Sequence, residues 1–117
     1  MKNISKWTPI KISKWHIKNL SWVTREEQIL KLALEFNEVR KELGIDKEKW
    51  IGEWADAWIV ASVLRYRYFQ ELGWIMMEYI RSLDEYEDIM IAVDVKMDIN
   101  EKRNWHYNEK TGETRHD

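Results

Sequence analysis

Glu35, Glu38, Glu53 and Asp56 form two pairs of acids, each spaced three residues apart, in a stretch rich in Leu, Ile, Phe and Trp. Solvated acids ordinarily lie opposite the apolar face of a helix. At about 100° per residue, Ile29, Leu32, Phe36, Val39 and Leu43 line one stripe, with Glu35 on its edge and Glu38 one step further round. Trp50, Ile51, Trp54, Ala57, Trp58, Ala61 and Leu64 cover one broad side of the next segment, and Ile59 and Val63 continue it. Glu53 and Asp56 occupy the narrow polar gap that remains. A helix apolar almost all round is buried, and a carboxylate on it needs a partner or a shifted pKa. A short connection around residues 44–46 packs the two segments antiparallel, so the four acids can converge. A divalent cation resolves their repulsion. Mg²⁺ is hard, prefers oxygen ligands and keeps water and phosphate in its shell. Paired carboxylates on facing helices build such sites in bundles. The ordinary alternative is a solvated edge on which Lys31, Arg40, Lys49 or Arg67 pairs with these acids.

Lys96, Asn100 and Arg103 follow i, i+4, i+7 spacing on one helix face, downstream of Ile89, Ala92 and Val93. A stripe that begins as core and ends as cations suits polyphosphate oxygens: a point charge, a neutral donor and a bidentate fork. Cations near a helix C-terminus also complement its dipole, which is the plainer explanation of the spacing alone.

One proline and four glycines leave room for long helices to position these groups. Thr24 with Glu27 is a capping box, and Gly44 closes the helix it opens. Asp46 caps a second helix over residues 47–69. Gly73 interrupts the pattern, a short helix follows over 75–80, and Ser82 with Glu85 opens a last helix over 83–102. Residues 1–23 read as an irregular aromatic arm carrying Trp7, Trp15 and Trp22, with a short strand near 10–12 as the alternative. Residues 24–104 form the helical domain, and 105–117 a polar tail that turns at Thr111 and Gly112. The fold class is all-α, a four-helix bundle.

With 117 residues the chain suits one domain. At 44% hydrophobic and 34% charged, it folds rather than remaining disordered. A net charge of −2 argues against a nucleic-acid polymer as partner. The absence of cysteine excludes disulfides and zinc–thiolate sites and agrees with a cytoplasmic location. No apolar run is long enough for a membrane span. Eight tryptophans exceed what so small a core needs, which points to a subunit interface or a stacking pocket.

The arrangement E35-x-x-E38, a 14-residue spacer, then E53-x-x-D56 resembles the signature of the all-α nucleotide pyrophosphohydrolases, the MazG-like superfamily. Residues 96–105, KMDINEKRNW, resemble that family's K-x-x-x-N-x-x-R-x-W segment, and TGETRH at 111–116 is similar to tails of phage-type members. The resemblance spans residues 24–116. It implies a four-helix fold, assembled as a homodimer or homotetramer, that uses Mg²⁺ to cleave a nucleoside triphosphate between the α and β phosphates. Carried onto this chain, Glu35, Glu38, Glu53 and Asp56 are metal ligands, one of them also orienting or deprotonating water. Lys96, Asn100 and Arg103 hold phosphates. The arm then supplies a base pocket, with Trp7, Trp15 or Trp22 stacking and His16 hydrogen bonding. A deoxynucleoside triphosphate is the expected substrate class. The rivals are a nucleotide-binding protein without turnover and a helical protein-interaction module that uses its tryptophans as a surface.

Overall fold

A computed structural model describes residues 5–116. Positions 1–4 of the expected arm and Asp117 of the tail lie outside the described residues. The described chain is mostly helical: α1 (Pro9–Asn19), α2 (Arg25–Glu42), α3 (Lys47–Tyr66), α4 (Glu71–Arg81) and α5 (Tyr86–Lys102), followed by a hairpin of β1 (Trp105–Asn108) and β2 (Glu113–His116).

The central element is α3, with α1, α2, α4 and α5 all packed against it. That position explains why its sequence is apolar almost all round. Trp54, Ala57, Trp58, Ala61, Val63 and Leu64 are all buried. Its N-terminus is held by Asp46, whose carboxylate accepts from Lys49 N at 3.1 Å. It stops three residues earlier than its periodicity suggests. Phe69 adopts a left-handed conformation (φ 57°), and Gln70 N donates back to Leu64 O at 2.9 Å, which closes the helix as a glycine would.

The Thr24–Glu27 capping box on α2 is formed in both directions. Of the stripe expected there, Leu32 and Val39 are buried, whereas Leu43 is exposed and Phe36 lies at the rim. Gly44 (φ 75°) permits the tight turn that folds α3 back on α2.

Three expectations are corrected. The middle of the arm is a helix: Thr8 caps α1 by accepting from Lys11 N, Pro9 stands at its first position, and Ile12, Ser13 and His16 are buried against the body. A serine and a histidine on the buried face conceal the apolar period. Gly73 does not interrupt α4 but lies within it. A Cβ there would stand 2.4 Å from Ala61 O and 2.8 Å from Arg65 N, so glycine allows α4 to seat directly on the α3 backbone. Finally, Ser82 does not cap α5. Its hydroxyl donates to Tyr79 O at the end of α4, and α5 begins at Tyr86 with no side-chain cap.

The segment before α1 is fastened to α5. Asp94 accepts from Trp7 N at 2.8 Å, and Asp98 accepts from Trp7 Nε1 at 2.9 Å, which buries the indole. In the tail, β1 and β2 pair antiparallel around Gly112 (φ 71°), and Trp22 Nε1 donates to Thr114 at 2.8 Å. Trp7, Trp54 and Trp58 are core residues, while Trp74 is exposed. Among the described residues no helix is long and apolar enough to cross a membrane.

Candidate metal centre

The α2–α3 hairpin brings together three of the four acids. Glu35 from α2 and Glu53 and Asp56 from α3 each offer an oxygen, and these oxygens lie within 4.8 Å of one another. Glu38 stands apart. It is exposed, its carboxylate reaches Lys41 Nζ at 3.4 Å, and it is not among the converging oxygens. The difference follows from the apolar stripe: Glu35 at its edge is carried into the interface, whereas Glu38 lies one step further towards solvent. The convergence of Glu35, Glu53 and Asp56 is therefore the part of the expected quartet that the fold assembles.

The cluster carries more negative charge than its surroundings offset. Lys96 Nζ, from α5, reaches Asp56 at 3.2 Å, and the largely exposed Lys31 approaches Glu35 at 3.9 Å. Burial, reinforced by the neighbouring Asp56 and Glu53, pushes the Glu35 carboxyl up to about 7 against the pull of Lys31 and Lys96. Glu53 is raised by burial and by Asp56. Asp56 is raised by burial even though Lys96 contacts it directly. Like charges that share a half-buried space make each carboxyl harder to ionise.

The donors suit a hard cation. All are carboxylate oxygens, the ligand class that Mg²⁺ and Ca²⁺ take. Ligand reach of roughly 2.0–2.6 Å separates two oxygens on one ion by at most about 4–5 Å, which the observed spacing satisfies. The residues next in sequence to Glu35 and Glu53 belong to an aromatic cluster: Phe36 packs edge-on against Trp54 (centroids 6.0 Å apart), and Trp54 meets Trp50 at 6.1 Å and Tyr79 at 5.6 Å.

Of the expected phosphate-binding trio, Lys96 alone meets the cluster. Its terminal methylene lies about where a side chain on Gly52 would come into contact, 3.8 Å from an added Cβ. Asn100 sits one turn on. Its carbonyl accepts from Trp105 Nε1 at 3.0 Å, and its amide lies against the Met97 sulfur. Arg103 lies just past the helix end in an extended conformation, half-buried, with no side-chain ion pair among the described residues.

Trp15 and His16 belong to another part of the molecule. His16 is buried, and its Nδ1 accepts from Arg67 Nη1 at 2.6 Å. Because guanidinium can only donate, Nδ1 is unprotonated and the ring is the neutral Nε2–H tautomer. Burial, then Arg67 and Lys31, drives its pKa down to about 3. Arg67 also donates to Leu20 O at 2.9 Å and Ser21 O at 2.8 Å, so it caps the end of α1. Its place in sequence, on the helix of Glu53 and Asp56, suggested a partner for those acids. Nothing in spacing alone points to α1, whose buried face carries Ser13 and His16 in place of apolar residues. Trp15 is half-buried, edge-on to Trp105.

No protein-family model, curated protein or solved structure matches this chain.

Proposed function

We propose that the chain is a Mg²⁺-dependent nucleoside triphosphate pyrophosphohydrolase of MazG-like type, acting in the cytoplasm on a free (deoxy)nucleoside triphosphate. One observation carries the reading: Glu35, Glu53 and Asp56 converge from two helices with Lys96 at their edge, in a site short of positive charge. When bound, the cation supplies charge neutralisation at the phosphates and lowers the pKa of a coordinated water. Glu53 and Asp56, fixed on the most buried helix, hold the donor geometry. Glu35, with a carboxyl poised near neutrality, suits the acceptance of a proton from water. Lys96 already pairs with a carboxylate and is placed to share its charge with a phosphate oxygen. Asn100 and Arg103, one and two turns beyond it, extend a donor row along the polyphosphate. Glu38 has the weakest claim of the four acids and serves from the rim.

The mostly helical character of the chain supports this reading, with α2–α5 proposed as the four-helix unit and α1 as an addition to it. Outward-facing Leu72, Ile75 and Tyr79 on α4, and Leu30 and Leu34 on α2, support assembly as a homodimer or homotetramer. The test is pyrophosphate release from a panel of nucleoside triphosphates with Mg²⁺ and with chelator. Metal-dependent release with monophosphate as co-product is expected. Silence across the panel from folded protein would leave a nucleotide-binding or protein-interaction role instead.

A further inference from the structure

We propose that the groove between α1 and the end of α5 is a second binding site, separate from the carboxylate cluster, for a phosphate that carries a flat base. The groove encloses about 350 Å³ and is lined by Trp7, Lys11, Lys14, Trp15, Lys18 and Glu101. Lys11, Lys14 and Lys18 recur at steps of three and four, so one face of α1 presents all three. Among the described residues none of them forms an ion pair. Glu101 is the one acid in the lining, and Asp94 and Asp98 earlier on α5 are taken up by Trp7 and Lys6, so the three lysines leave a cationic rim on a chain whose net charge is −2.

The aromatic part of the groove is rigid. Trp7 forms the floor, pinned through its indole N–H to Asp98, and the Lys11 ammonium sits 4.5 Å from its ring centroid. Trp15 is held edge-on by Trp105, centroids 6.1 Å apart, and keeps part of its own ring open. Ammonium groups bind phosphate oxygens as point charges, and an indole face stacks a base of any identity. A simple anion would have no use for Trp15, and an apolar ligand none for the lysines. The cations are spread over about 10 Å of helix, flanking the ring instead of converging on one point.

The groove is distinct from the carboxylate site. Lys96 and Asp98 differ by two residues, about 200° round α5. Lys96 faces Asp56 on α3, while Asp98 meets Trp7 and Glu101 lines the groove. The helix thus stands between the two sites, and the second does not depend on pyrophosphohydrolysis.

The experiment is isothermal titration of the full chain in EDTA with AMP, a short oligothymidylate and inorganic phosphate. The expected result is metal-independent binding of AMP or the oligonucleotide that weakens with added salt. It should fall about tenfold or more in the Lys14→Glu, Lys18→Glu double variant and severalfold in Trp15→Leu, and stay unchanged in Glu53→Gln. Affinity that rises with chain length identifies the source as a single strand. Equal affinity for AMP identifies a free nucleotide, and either result supports the site. The lysines are exposed, so circular dichroism should show an intact fold. Inorganic phosphate binding as well as AMP, no binding by folded protein, or binding indifferent to the charge reversals would each overturn the proposal.

Discussion

Two partly buried polar clusters among the described residues are built on opposite terms. At the end of α1, Arg67 is surrounded by acceptors: His16 Nδ1, Leu20 O and Ser21 O. Every partner is neutral and the imidazole is held uncharged, so the guanidinium satisfies the helix end without competition. Around Glu35, Glu53 and Asp56 the reverse holds. Like charges share a half-buried space, Lys96 offsets one of them, and all three carboxyls are raised. Partial burial of like charge is unfavourable unless it is offset, and Lys96 and the exposed Lys31 offset it only in part. The first group is complete within the chain. The second holds more like charge than Lys96 and Lys31 neutralise. That contrast separates a structural polar cluster from a candidate site more sharply than residue type does, since a histidine and an arginine would ordinarily attract the functional reading.

The largest expected effect comes from breaking the incomplete cluster. Glu53→Gln removes a proposed ligand and one like charge. Turnover should fall on the order of a hundredfold or more, while stability measured in chelator holds or rises. Near-normal turnover in steady-state pyrophosphate release would remove Glu53 from the site. Breaking the complete cluster should do the opposite. Arg67→Met leaves His16 and the end of α1 without donors and should cost about 1–3 kcal/mol in urea denaturation, with activity per folded molecule unchanged. If Arg67→Met abolishes turnover in a protein that still folds, the division between the two clusters fails.

Magnesium sharpens the comparison without a change in sequence. A ligand that binds only the folded state raises its stability by mass action, roughly 2–8 °C in Tm per kcal/mol for domains around this size. Mg²⁺ should raise the Tm of the parent protein and of Arg67→Met by similar increments and that of Glu53→Gln much less. Equal increments in all three, read by differential scanning calorimetry, would place the cation elsewhere.

The two clusters were also unequally legible in the sequence. The α2–α3 hairpin was readable because its signals are local: a capping box at Thr24, Gly44 at the turn, Asp46 at the next cap. Those signals fix which faces meet, and with them the convergence of Glu35, Glu53 and Asp56. Spacing places Glu38 one step beyond Glu35 around α2 but not how far its carboxylate reaches, and in the structure it lies exposed beside Lys41. The α1–Arg67 cluster was invisible for a different reason. Its contacts join residues some fifty positions apart, and its helix buries Ser13 and His16 where a periodicity search expects leucine. Gly73 misled in the same way: a helix-weakening residue by propensity, it is required by the backbone of α3.

The smallest expected effect is the pH dependence of stability, where the clusters oppose each other. His16 has its pKa lowered from 6.5 to about 3, so the unfolded chain binds the extra proton between those values. Its contribution is fully present above about pH 6.5 and is lost as the pH falls, so stability rises with pH in that window. Glu35 is raised from 4.5 to about 7, so the folded chain holds the extra proton between those values, and stability falls as the pH rises through them. Glu53 and Asp56 act in the same direction as Glu35. Between about pH 4.5 and 6.5 the metal-free protein should therefore show a shallow slope, the difference of two larger ones. Urea denaturation across that range separates them: Glu35→Gln should shift the slope towards a rise with pH, and His16→Asn should shift it towards a fall. Identical slopes in parent and both variants would mean that neither cluster is held in the protonation state its surroundings impose.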